Sequence, residues 1–461
     1  NQKGDDRKMS VYKFSRYNHF EEYEGEWLLY NSFSGAMSVL KDQEKKEMEK
    51  LILSNAESFS QAERLFLDHL LLNGYILPVQ IDELRILEKK YNERKKQTGR
   101  LVLTILPTMG CNFSCDYCFE GREKIHRPMD KKVQDALLSW IAKKLSGITH
   151  LSITWFGGEP TLAMPVIRRM SDRMISLCQQ RKITYTATII TNGYKLTGEL
   201  TGELYVRAVR NIQITLDGPS DVHDRIRFIK GSSKGSFNQI LKNICTYSNV
   251  YPLIHTSIRI NVDERNEGSC FRLLEELREQ LKEAKNISVY FAPIHASTFQ
   301  CRHIAEFTME AIHYAELETR LIRKALEYGL TNIGMPLQYM GLCGATNANG
   351  FVALPDGTIH KCWETVAMPE YAVGSVFEKS TIHEEKLGKW IDWSPFSQEK
   401  CRDCSILPNC MGMCTYRFLY KENYAGNSAI SPCPSLKHEL MERLKMYMVE
   451  RSKSKEKARE I

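Results

Sequence analysis

The sequence predicts an α/β protein built on an open, partial (β/α)6 barrel, with a smaller α+β unit before it and a cysteine-rich unit after it. Three observations carry that expectation. Six short apolar runs, at 101–106, 150–156, 183–190, 212–216, 254–260 and 287–291, alternate with longer amphipathic stretches. Such alternation builds a parallel sheet with right-handed crossovers, and six units rather than eight leave it open. The first run leads into Thr108-Met-Gly-Cys-Asn-Phe-Ser-Cys-Asp-Tyr-Cys-Phe-Glu120, a cysteine loop beyond the carboxyl end of a strand, where such sheets bind ligands. Finally, seven of the fourteen cysteines fall between 343 and 433, a stretch short of long periodic helices.

In chain order, residues 9–98 form the first unit. Runs 11–14 and 26–30 read as strands, and Ser34 as the cap of a helix through Leu40. Residues 47–52 and 61–72 are amphipathic helices, the second ended by Gly74. A strand at 75–77 and a charged helix at 82–96 complete the unit. Residues 101–300 hold the barrel, with helices expected at 129–145, 165–179, 237–247 and 270–281. A mainly helical bridge follows at 301–342. The Gly-, Pro- and Asn-rich region 343–435 needs more than an apolar core to hold it, and metal clusters are the natural candidate. A final amphipathic helix at 436–448 leads into a basic tail that ends at Ile461.

Composition narrows the function. The chain has 461 residues and a net charge of +7, with no basic stripe interleaved with aromatics, so nucleic acid is not an expected partner. No segment approaches the roughly 18 consecutive apolar residues of a membrane span. Residues 1–9 are polar and lack an apolar signal core, so a soluble, cytoplasmic protein is expected. Fourteen cysteines in a chain kept reduced call for metal or catalysis rather than disulfides. Cys178, Cys245, Cys270 and Cys301 sit in apolar-periodic segments and read as core residues.

Cys111, Cys115 and Cys118, spaced Cys-x3-Cys-x2-Cys, present thiolates at i, i+4 and i+7 of a curled segment. Three ligands suit a four-iron cubane with one iron left for something other than protein, with Phe113, Tyr117 and Phe119 as apolar cover. Three buried core cysteines are the plainer alternative. Together with Gly157-Gly-Glu-Pro160 after the second strand and Thr191-Asn-Gly193 after the third, the loop resembles the radical S-adenosylmethionine (SAM) superfamily. That resemblance implies a [4Fe–4S] cluster on Cys111, Cys115 and Cys118 whose open iron binds SAM. It also implies reductive SAM cleavage to a 5′-deoxyadenosyl radical that abstracts a substrate hydrogen. Gly157, Gly158, Glu159, Thr191 and Asn192 would contact SAM. Thr215-Leu-Asp-Gly-Pro-x3-His-Asp-x2-Arg227 resembles the family's fourth-strand motif, by which Thr215 and Arg227 would hold the SAM carboxylate, while Asp217 reads as structural.

Cys343-x13-Gly357-x4-Cys362, Cys401-x2-Cys404-x5-Cys410-x3-Cys414 and Cys433 resemble the seven-cysteine SPASM extension of radical SAM enzymes, which holds two auxiliary [4Fe–4S] clusters. Without the family, 401–414 could be a zinc ribbon, although seven cysteines are awkward for zinc. By family order Cys343, Cys362 and Cys414 would ligate the first auxiliary cluster, and Cys401, Cys404, Cys410 and Cys433 the second. The first then has three ligands, and its remaining iron would take a distant residue, water or a substrate thiolate. In sulfatase-maturating relatives an Asp follows the second cysteine of this domain; here Trp363 follows Cys362, with Glu364 next. His295, after the sixth strand, is left unassigned, as is the catalytic base.

The first unit's helices and hairpin resemble a small winged-helix fold. They also resemble the peptide-recognition element of peptide-modifying enzymes, on the turn Tyr30-Asn-Ser-Phe-Ser-Gly35 and the ending Leu71-Leu-Asn-Gly-Tyr-Ile76. Such an element pairs a strand edge with a leader peptide, and a structural cap is the competing reading. The combined resemblance is to a radical SAM/SPASM peptide maturase of the thioether-forming ranthipeptide or sactipeptide type. It implies three [4Fe–4S] clusters and SAM as cofactors, and a leader-bearing precursor peptide and a flavodoxin- or ferredoxin-type electron donor as partners. Carbon–carbon crosslinking or another peptide modification is the alternative chemistry. A zinc or iron–sulfur binding or electron-transfer protein is the more remote one.

Overall fold

A computed structural model describes residues 11–53, 59–96, 99–121, 127–339, 343–377, 382–424 and 431–459; the polar start at 1–9 lies outside the described residues. Residues 11–96 hold strands β1 (Tyr12–Phe14), β2 (Asn18–Tyr23), β3 (Glu26–Asn31), β4 (Met37–Leu40) and β5 (Ile76–Pro78). Helices Asp42–Leu53, Gln61–Leu72 and Glu83–Lys95 accompany them. Strands β2, β3 and β4 form an antiparallel meander, and β1 pairs with β5. The helix expected from Ser34 through Leu40 is instead the strand β4. The Asn31 side chain accepts the N–H groups of Phe33 and Ser34, and Gly35 takes φ +75°, so the chain turns back along β3 before a helix can start.

Strand β3 faces two ways, as the period of two requires. Leu29 packs with Leu51, Leu67 and Leu70 of its own unit, while Leu28 and Tyr30 pack with Ile406, Cys410, Leu440 and Leu444. The first unit is therefore seated on the cysteine-rich region.

The barrel strands are β6 (Arg100–Ile105), β7 (His150–Trp155), β8 (Thr184–Thr191), β9 (Val209–Thr215), β10 (His255–Val262) and β11 (Ile287–Pro293), all parallel and adjacent in sequential order. Each expected strand is present within three residues of its predicted ends. Leu101, Leu103, Ile105, Leu151, Ile153 and Trp155 are fully buried in the shared core, together with residues of helices such as Met164–Arg181 and Phe237–Val250. Six parallel strands leave an open α/β sheet, the predicted fold class.

Beyond β6 the same sheet continues. Strand β12 (Gly350–Ala353) runs parallel to β6, and β13 (Thr358–His360) and β14 (Gly374–Ser375) add antiparallel, giving nine strands in the order β11-β10-β9-β8-β7-β6-β12-β13-β14. The first part of the cysteine-rich region is thus welded to the barrel edge by backbone hydrogen bonds. In the bridge at 301–342, helix Ala311–Glu327 is followed by irregular chain at 331–339. The last helix runs Leu436–Arg459, well past the expected end at 448 and through most of the stretch read as a tail. No disulfide joins any of the fourteen cysteines, all of which lie among the described residues. Cys178, Cys270 and Cys301 are buried and Cys245 is half-buried.

Candidate active site

The carboxyl ends of the barrel strands open into a cavity of about 270 Å³. Cys111, Cys115 and Cys118 line one side of it, and Trp363, Glu364 and Arg417 of the cysteine-rich region line it too. Pro107 and Gly110 end β6 and release the cysteine loop. The loop is then tied down by Arg265, at the end of β10, whose guanidinium pairs with both Asp116 and Asp263. Burial pushes the Cys115 thiol up to about 12, opposed by the Arg227 guanidinium and reinforced by Cys118 and Cys111. The three sulfurs therefore share one electrostatic neighbourhood.

Gly157-Gly-Glu-Pro160 packs directly on the start of that loop. A Cβ on Gly157 would lie 2.5 Å from the Thr108 carbonyl oxygen, and one on Gly158 only 2.3 Å from those of Met109 and Gly110. Gly157 also takes φ +108°. Both glycines line the cavity. The Glu159 side chain is fully buried and turned into the protein. Its carboxylate accepts hydrogen bonds from Thr161 N (2.9 Å), Thr161 Oγ1 (2.5 Å), Thr191 Oγ1 (2.7 Å) and Asn192 N (2.7 Å). Glu159 thus buckles the ends of β7 and β8 together. Thr191 and Asn192 line the cavity, with the Asn192 amide bonded to Asn112 Oδ1 of the cysteine loop at 2.8 Å.

The fourth-strand motif builds the opposite corner. Thr215 and Arg227 line the cavity. Arg227 donates from one guanidinium nitrogen to Tyr117 Oη at 2.5 Å and lies 3.7 Å from Asp217 Oδ2. Tyr117 in turn donates to Asp217 and accepts from Asn261 Nδ2. The aromatic expected as mere apolar cover is therefore the hub of a buried polar network. Burial pushes the Asp217 carboxyl upward, opposed by Arg227 and the Tyr117 hydrogen bond. His223 accepts the Asp217 N–H at Nδ1, so its proton sits on Nε2, facing Ser236 Oγ. Asp224 caps the helix Phe237–Val250 by accepting the N–H groups of Ser236 and Phe237.

With this geometry in place, residues 105–267 match the model of the Radical SAM superfamily. Over that stretch the chain is similar to radical SAM proteins. The "Cysteine-type anaerobic sulfatase-maturating enzyme" of Clostridium perfringens is 24% identical over 352 residues, 68% of this chain and 88% of its own length. The "Sporulation killing factor maturation protein SkfB" of Bacillus subtilis is 26% identical over 173 residues, 38% of each chain. Among solved structures, "Native anSMEcpe with bound AdoMet" superposes with a TM-score of 0.57 at 17% identity, covering 75% of this chain and 98% of that one. Streptococcus suis SuiB bound to its precursor peptide SuiA gives 0.51 at 16% identity, covering 92% and 99%. At these identities the superpositions speak for the fold.

Outside residues 105–267 the remaining thiols of the cysteine-rich region fall into two neighbourhoods. Burial raises the Cys362 thiol, reinforced by Glu364, Cys343 and Cys414. Cys401 is raised by burial, with Cys433 and Cys404 as charged neighbours, and Cys410 by burial, with Cys433 and Cys401. Cys343 and Cys414 are thus electrostatic neighbours of Cys362, and Cys433 of both Cys401 and Cys410, while among the described residues no three Cys, His, Asp or Glu side chains are close enough to hold a single metal ion. Thiolates are the soft donors that iron–sulfur clusters take, and binding iron would deprotonate thiols that burial otherwise keeps neutral.

Several cavity residues carry no motif. Arg259 and Asn261 end β10, and Ser297 and His295 follow β11. Ser297 Oγ donates to Glu364 Oε2 at 2.6 Å. Burial pushes the Glu364 carboxyl up, opposed by that hydrogen bond and by Arg417 and Arg259. Phe119 stacks on Phe156 at 6.2 Å between centroids, and Phe156 meets Trp363 at 5.9 Å, forming an aromatic wall. The one signal in sequence was position: each lies at or just past the carboxyl end of a strand, or within three residues of a cysteine.

Proposed function

We propose that this chain is a radical SAM peptide maturase that installs thioether crosslinks between a cysteine sulfur and a carbon of another residue in a ribosomally synthesised precursor peptide. The observation that carries the proposal is the cavity. Cys111, Cys115 and Cys118 line it, and so do Trp363 and Glu364, which directly follow Cys362 of a second, three-thiol set.

Cys111, Cys115 and Cys118 would hold the SAM-binding [4Fe–4S] cluster. Gly157, Gly158, Thr191, Asn192, Thr215 and Arg227 would surround SAM, with Glu159 holding that loop in shape. Cys343, Cys362 and Cys414 would hold one auxiliary cluster, and Cys401, Cys404, Cys410 and Cys433 the other. When bound, these groups supply a hydrogen-abstracting radical and an iron able to take a soft thiolate. The chain's own residues do the rest. Arg227, fixed by Tyr117 and Asp217, presents a guanidinium suited to a carboxylate. The aromatic wall of Phe119, Phe156 and Trp363 would give the reacting carbon an apolar surface to lie against. Three thiols rather than four at Cys343, Cys362 and Cys414 leave a position for the substrate's own sulfur. Residues 9–98 would bind the leader on a strand edge, and a flavodoxin- or ferredoxin-type protein of the cytoplasm would supply electrons.

A second reading, maturation of a folded protein such as a sulfatase, is favoured by the length over which the Clostridium perfringens relative aligns. Trp363 standing directly after Cys362 weighs against it.

The test uses anaerobically purified, cluster-loaded enzyme, a chemical reductant, SAM and any short Cys-containing peptide found among the reading frames beside the gene. Loss of two hydrogens from the peptide, with a cysteine that no longer alkylates, is expected. A product that lost two hydrogens while every cysteine still alkylates would make this a carbon–carbon crosslinking enzyme. A chain holding zinc and no sulfide would remove it from this chemistry altogether.

A further inference from the structure

His295 stands apart from the rest of the cavity lining. Its ring borders the cavity, yet both ring nitrogens are shielded and have no hydrogen-bond partner among the described residues. A buried donor or acceptor left unmade costs about 1–3 kcal/mol, so such a ring persists only where something else completes it. The backbone around it is firmly held. Ile294 N–H bonds to Val262 O at 2.8 Å, the Tyr416 hydroxyl donates to Ser297 O at 2.9 Å, and Ser297 Oγ donates to Glu364. The ring's position is thus set by its neighbours, and its nitrogens gain nothing from them.

Two features indicate what completes it. The loop carrying His295 is bonded to Glu364 and Tyr416, each two residues past a member of the three-thiol set. The same loop packs through Ile294 and Ala296 beside Tyr117 and Phe119, so His295 sits where the cysteine-rich region meets the cysteine loop, its polar ties running to the former. Burial, with the Arg417 and Arg259 guanidinium groups nearby, keeps the ring neutral, so it offers one donor and one acceptor. That pair matches an amide better than a carboxylate or an ammonium. Arg259 and Arg417 add donors nearby and Glu364 adds an acceptor, so both the C=O and the N–H of an amide find partners there.

We propose that His295 is a substrate-binding residue whose ring exchanges hydrogen bonds with a backbone amide of the peptide lying across the cavity. The inference rests on the maturase reading and adds the contact that positions the peptide for reaction.

His295→Phe keeps the ring and removes both nitrogens, while His295→Gln keeps a donor and an acceptor. With cluster-loaded enzyme and a Cys-containing peptide that the parent modifies, H295F raises KM by about tenfold, the worth of one such contact. It also shifts SAM cleavage toward uncoupled turnover. H295Q restores most of the coupling. Equilibrium SAM binding is unchanged in both variants, and the melting temperature of H295F is equal to or above that of the parent. Parent-like KM and coupling in H295F overturn the inference alone, since peptide modification by the parent still stands. Weakened SAM binding in H295F moves the contact to the cofactor and overturns the peptide assignment. A lowered melting temperature with no change in KM makes His295 a packing residue. If the parent cleaves SAM and modifies no such peptide, the maturase reading fails and takes this inference with it.

Discussion

A Cβ on Gly158 would meet two carbonyl oxygens of the cysteine loop, and these belong to backbone, which cannot swing aside as a side chain would. Gly158→Ala should lower the free energy of unfolding by about 1–3 kcal/mol in denaturant titrations, and iron content should fall with it. Glu159 acts by a different route. With four donors converging on its carboxylate, Glu159→Gln turns an amide N–H2 toward at least one of them, and a loss of about 1.5–3 kcal/mol is expected from the same titration. The cysteines divide by the neighbourhoods they share. Serine at Cys111, Cys115 or Cys118 should abolish SAM cleavage. Serine at Cys343, Cys362 or Cys414 should spare it and eliminate the crosslinked product, as read by mass spectrometry.

Strand β3 is the element that joins the first unit to the cysteine-rich region. Tyr30, from its outward face, donates to Pro336 O. Asn409, directly before Cys410, donates to Tyr30 Oη and to the Pro336 and Leu337 carbonyls at 2.9–3.0 Å. Ser32 Oγ adds a bond to Ser405 O at 2.6 Å. The loop that carries Cys404 and Cys410 is therefore also the floor on which the first unit stands. Asn409→Ala removes three hydrogen bonds, although Tyr30 still serves Pro336 O and Leu337 lies open to water, so a cost of about 0.5–1.5 kcal/mol is expected. Limited proteolysis should show it, with residues 11–96 becoming susceptible before the barrel does. A variant as resistant as the parent would mean that the apolar contacts of Leu28, Ile406 and Leu444 hold the units together unaided.

For the whole molecule, buried histidines set the acid limit. His19, His223 and His295 are held below their ordinary value of 6.5, each chiefly by burial. An unfolded histidine takes a proton as the pH falls through 6.5, whereas these rings stay neutral in the folded chain. The unfolded state then binds more protons, so stability is level above about pH 7 and declines below it, by up to about 1.4 kcal/mol per ring for each pH unit. Unfolding midpoints measured at about pH 7.5 and about pH 5.5 should differ accordingly, and His223→Gln should reduce the difference. At neutral pH, about twelve irons and twelve sulfides per chain are expected if all ten clustered cysteines ligate cubanes. No described helix is long and apolar enough to cross a membrane.

Local pattern determined much of this. Apolar runs and their spacing located all six barrel strands, because buried parallel strands have to be apolar throughout. Cysteine spacing singled out the ten thiols, because a ligand set needs sulfurs at fixed intervals. Contacts between residues far apart in the chain left no such trace. Strand β4 was misread as a helix because a turn set by the Asn31 side chain, and then pairing with β3, outweighed the short-range cues. The annexation of β12 to β14 by the barrel sheet, the Tyr117 hub and the meeting of Glu364, Ser297 and His295 at one cavity each depend on partners dozens of residues away or more. The sequence by itself determined which sulfurs and strands this protein has; only the tertiary structure decided which polar side chains face the cavity between them, because burial and pairing are properties of the assembled sheet.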